Sequence, residues 1–172
     1  MNLKFPLTYI LLVAAQILLA NYLNLSQYVV LCFLPAMILI LPIKVSTIAA
    51  LCIAFATGMV TDFFTTGILG LCTVGLVPVA LCRNWIIQLV FGSELFSRQE
   101  DINIPRQGMP KVILATLIAT GLYFLIFTWV DGAGTRPLNF NLIRFGASLA
   151  VSTAVSIYII HILTSEEVRR WR

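Results

Sequence analysis

Ser46 to Thr61 reads STIAALCIAFATGMVT, an uncharged run closed by Asp62 and a polar turn. Lipid offers the backbone no hydrogen-bond partner, so a run of this kind must satisfy its own amides as a helix. Five further runs of the same character surround it, at about 6–25, 28–41, 68–90, 111–130 and 142–164. The chain of 172 residues is 60% hydrophobic and 10% charged, against about 25% charged in a soluble domain. A spanning helix needs about 20 residues, so six of them take up most of the chain. The expected fold is all-α: one integral membrane domain over residues 1–172, built as a polytopic bundle of six transmembrane helices.

The run over 28–41 is short, contains Pro35 and stops at Pro42, so a kink near Ile38 or earlier is expected there. The fourth run carries Pro78. Its end is ambiguous in sequence: an exit from the hydrocarbon near Arg83 with continuation as an interfacial helix through Phe91 would set Trp85 at headgroup depth. Residues 92–110, GSELFSRQEDINIPRQGMP, form a loop of mixed charge. The amino-terminal run resembles a signal peptide superficially. It has Leu18 where a small residue would be wanted for cleavage, and it reads as a retained first helix. With six spans, nine of the eleven Lys and Arg residues fall on one side, and only Arg136 and Arg144 on the other. This bias places both termini in the cytoplasm.

The net charge of +4 therefore marks orientation and does not call for nucleic acid. Cys32, Cys52, Cys72 and Cys82 lie in apolar runs without Cys-x-x-Cys spacing and read as small apolar filler, neither a disulfide framework nor a metal site. His161, the only histidine, has no acid or cysteine beside it. General acid–base or metal chemistry needs converging titratable groups. The spans offer none and are expected to bury no charge, which argues against an enzyme, a cofactor site and an ion carrier.

Ala50, Ala54, Gly58 and Asp62 recur every fourth residue and share one helical face. Small residues in such a row let another helix approach closely, either inside the bundle or from a partner. Ser148, Ser152 and Ser156 form a second row, suited to meet the third helix or to accept a partner. Asp62 closes its helix, where its carboxylate can bind the amides of Thr65 or Thr66 or make a polar contact at the mouth of the bundle. Gln16 lies mid-span in the first helix, where side-chain amides bridge helices. The tail SEEVRRWR suits anionic lipid and headgroup depth.

The segment Gly58-Met-Val-Thr-Asp62-Phe-Phe-Thr-Thr-Gly67-Ile-Leu-Gly70 resembles the signature of the rod-shape-determining MreD family: a Gly-x-x-x-Asp step at a helix end, a short turn, then Leu-Gly opening the next helix. Gly58, Asp62, Leu69 and Gly70 occupy those places. The resemblance implies a non-enzymatic subunit of the bacterial cell-elongation machinery in the cytoplasmic (inner) membrane. It would bind the membrane-anchored coiled-coil protein MreC and help couple MreB filaments to peptidoglycan synthases. It also implies a fold similar to the substrate-binding subunits of energy-coupling-factor vitamin transporters. On this reading Ala50, Ala54, Gly58, Asp62, Gly67, Gly70, Ser148, Ser152 and Ser156 are candidate partner-binding positions. The alternative is a vitamin-binding subunit of such a transporter. Against it, the first helix lacks the Ala-x-x-x-Ala pair typical of those subunits: Ala14 is followed four later by Leu18, and Ala15 by Leu19.

Overall fold

The structure, a computed structural model, describes residues 4–22, 29–65, 67–92, 108–132 and 137–169. These form six helices and no strand: α1 (Lys4–Tyr22), α2 (Leu34–Ile40), α3 (Thr47–Thr65), α4 (Leu71–Phe91), α5 (Met109–Gly132) and α6 (Leu138–Arg169). Four are long and apolar enough to cross a membrane: α3, α4, α5 and the Asn139–Leu163 stretch of α6. The apolar part of α1, Pro6–Tyr22, is shorter.

The second element departs from expectation. A helix over 28–41 was anticipated, but only Leu34–Ile40 is helical, and residues 30–33 approach it without regular secondary structure. Seven residues rise about 10 Å at 1.5 Å each, a third of the ~30 Å hydrocarbon core. Pro35 explains the late start. It sits in the first turn, where a missing N–H costs nothing and the fixed φ favours helix. It begins the helix and does not kink it.

Leu34 through Leu39 are all buried, and α2 packs against α4, α5 and α1. The core gathers around this short helix: Phe33, Leu34, Ile38 and Leu39 meet Leu76, Val79 and Ile87 of α4 and Ala119, Tyr123 and Phe124 of α5 within one cluster. Tyr123 stacks on Phe127 at 5.5 Å between centroids.

The side-chain pairings give the helix directions. Tyr9 pairs with Thr57 and Asn21 with the Phe64 carbonyl, so α1 and α3 run parallel. The chain between them must therefore return along the bundle. It does so beside α4: Cys32 lies with Cys72 around Tyr123, and Leu39 and Leu41 lie with Arg83. Ser148 and Ser152 of α6 meet Val30 and Cys32 in the same order, so α6 also runs in the return direction. The start of α1 and the end of α6 thus lie at the same end of the bundle.

Candidate functional site: the α3–α4 joint and the broken second segment

Asp62 is fully buried. α3 extends beyond Thr61 to Thr65 and carries Asp62 inside its last turns. The turn contact expected at Thr66 lies outside the described residues; within them the carboxylate reaches the start of the next helix. Its Oδ1 accepts from the Cys72 amide at 2.8 Å. Its Oδ2 accepts from the amides of Gly70 at 3.0 Å and Thr73 at 3.2 Å, and from the Thr73 hydroxyl at 3.1 Å. These are the unpaired amides that open α4. The residue in the capping position is Gly70, which has no side chain to offer; Asp62 supplies the cap from the preceding helix. Its negative charge also faces the positive pole of α4.

Three glycines make the joint possible for two different reasons. Gly67 and Gly70 have φ of 66° and 102° with open space around them, so they supply left-handed backbone. Gly58 supplies room. A Cβ there would stand 2.6 Å from the Thr73 Cα, a backbone atom. Ala54 and Ala50, one turn and two turns earlier, are fully buried as well. The row Ala50, Ala54, Gly58, Asp62 is therefore covered by the chain's own packing.

The serine row faces elsewhere than the third helix. Ser148 Oγ accepts from the Val30 amide at 2.9 Å. Ser152 Oγ accepts from the Cys32 amide at 3.0 Å and donates to the Val30 carbonyl at 3.2 Å. Ser156, also fully buried, has no hydrogen-bond partner among the described residues. On the other side of the segment Gln16 closes a matching pair: its Nε2 donates to the Leu31 carbonyl at 2.8 Å and its Oε1 accepts from the Phe33 amide at 3.1 Å. Non-helical backbone survives at membrane depth only where protein satisfies it. Here one glutamine and two serines do so.

The expectation that the spans bury no charge is overturned by Asp62 and by Arg83, which is 2% exposed. α4 is continuous past Arg83, from Leu71 to Phe91, with Pro78 inside it. The guanidinium donates from Nε to the Leu39 carbonyl at 3.3 Å and from Nη2 to the Leu41 carbonyl. It thus caps the carboxyl end of α2, where a cation meets the negative pole of the helix. Sequence reasoning missed this role because Arg83 reads equally well as an interfacial anchor. The available signal was the break itself: a helix stopped by Pro42 leaves carbonyls that a nearby Arg can reach.

These buried polar groups bind backbone. Among the described residues no group of three or more His, Cys, Asp or Glu side chains is placed to hold a metal ion, and all four cysteines are free thiols. A shallow indentation of about 410 Å³ on α5 is lined by Leu125, Ile126, Trp129 and Val130. At one end of the bundle Arg144 pairs with Asp131 across the α5–α6 hairpin. The candidate contacts in the loop over 93–107, and Arg170, Trp171 and Arg172 of the tail, lie outside the described residues. No protein-family model matches the chain, and no match emerges among curated proteins or among solved structures.

Proposed function

We propose that this chain is a non-enzymatic scaffold subunit of the bacterial cell-elongation complex, of the MreD kind, seated in the cytoplasmic membrane with both termini inside the cell. The observation that carries the reading is the Gly58–Asp62–Gly70 joint. The residues of the family-like signature act together there, as a spacer, a buried cap and a left-handed turn. The contacts described at that joint hold α3 to α4.

The scaffold reading gains support from how the polar side chains are used. Gln16, Asp62, Arg83, Ser148 and Ser152 are each engaged by the chain's own backbone. What the bundle offers outward is an apolar surface, including Ile48, Phe55, Phe63, Trp85, Leu89 and Trp129. Such a surface suits helix-to-helix association in lipid, where van der Waals packing is the main attraction.

The test is purification of the tagged chain from native membranes in mild detergent. A one-span coiled-coil protein of the MreC kind should co-purify with it. Because the Gly58 face is closed by α4, G58L should lower the yield of folded protein while the folded fraction keeps its partner. Purified chain that brings down no such protein, but binds a small metabolite saturably, would sink the scaffold reading in favour of a vitamin-binding subunit.

A further inference from the structure

Among the described residues, the stretch 30–33 leans most on distant side chains. At least five of its backbone groups are held by side chains: the Val30 amide and carbonyl, the Leu31 carbonyl, and the amides of Cys32 and Phe33. Two of those groups depend on Gln16, which precedes the segment. The other three depend on Ser148 and Ser152, about 120 residues later in the chain. A helix such as α3 satisfies its amides within itself and can enter lipid alone. This segment cannot, because lipid would leave its amides unpaired until α6 arrives. Its helical part, α2, is seven residues long and needs Arg83 of α4 at its carboxyl end.

We infer that residues 29–40 form a late-closing latch. They run back between α1 and α3 unsealed and open to water while the later helices enter. They take their place in the bundle only when Ser148 and Ser152 are there to receive Val30 and Cys32. The fold carries its own control for this idea. Ser156 is the third member of the same serine row and is fully buried, but its hydroxyl holds nothing among the described residues. Removing it changes a buried side chain on the same face of α6 without touching the latch.

Cys32, buried within the latch, reports its position. The experiment uses full-length chains in membranes, each with a single cysteine, either Cys32 or Cys72 with the other three replaced by Ala, and a charged, membrane-impermeant maleimide applied to inside-out and right-side-out vesicles. In the parent both thiols should resist labelling. In S148A/S152A, Cys32 should label at least tenfold faster from one side while Cys72, on α4 beside Asp62, stays protected. In S156A both should stay protected. A pulse of label during synthesis should catch Cys32 of the parent before the completed chain closes over it. Protection of Cys32 in S148A/S152A equal to that in S156A would overturn the inference. So would exposure of Cys32 and Cys72 together, which would show that the segment opens only with the whole bundle, or protection of Cys32 throughout synthesis.

Discussion

Asp62 and Arg83 are both buried charges held at helix ends. Each is matched to a helix end of opposite polarity: the carboxylate to the opening amides of α4, the guanidinium to the closing carbonyls of α2. Hydrogen bonds to a charged group contribute about 1.5–3 kcal/mol each, and a buried donor left unmatched costs about 1–3 kcal/mol. Asp62→Ala strands the amides of Gly70, Cys72 and Thr73. Its expected cost is about 3–5 kcal/mol, the range for breaking a buried charged interaction, measured by reversible unfolding in mixed micelles. Asp62→Asn keeps the shape but turns an NH2 group toward a donor, and should fall between Ala and the parent. A loss below about 1 kcal/mol for Asp62→Ala would mean that water replaces the cap.

At the scale of elements, the α3–α4 pair depends on glycines whose roles separate cleanly by mutation. Gly58→Ala places a methyl group against the Thr73 backbone, so the helices must part, at about 1–3 kcal/mol for overpacking. Trimming Thr73 to Ala should not restore the loss, because the colliding Cα remains. Gly67→Ala meets no neighbour and should lose only the left-handed backbone term, about 1–2 kcal/mol. Cysteine cross-linking across the two helices separates the cases. Gly58→Ala should alter which positions cross-link, and Gly67→Ala should lower stability with the pattern unchanged. Gly75 repeats the close approach between α4 and α5, where an added Cβ would lie 2.7 Å from the Tyr123 ring.

At the scale of the whole molecule, the pairings of Tyr9 with Thr57 and of Ser148 with Val30 send the chain back and forth along the bundle and bring the start of α1 and the end of α6 to one side. In the orientation proposed above from the charge bias, that side is the cytoplasm. A reporter active only outside the cytoplasmic membrane, fused after Arg172, is expected to be silent, and the same reporter inserted after Gly134 to be active. Activity after Arg172 would contradict the orientation read from the charge count.

Composition and run length alone determined that the chain is helical, with runs long and apolar enough to cross a membrane, because an apolar backbone in hydrocarbon has no other way to pair its amides. The small-residue row at Ala50, Ala54 and Gly58 announced a close helix contact for an equally local reason: its four-residue period is a property of the helix. Nothing local announced the rest. Gln16, Ser148 and Ser152 are neighbours only because three distant elements converge on residues 30–33, and sequence spacing carries no record of separations near 120 residues. The same holds for Asp62 and Arg83. Their charges were visible, but whether each would face solvent, headgroups or a helix end was decided by which helix packed beside it. Hydropathy counts how much of the chain lies in lipid, whereas the pairing of buried polar atoms is set only when the helices are assembled in three dimensions.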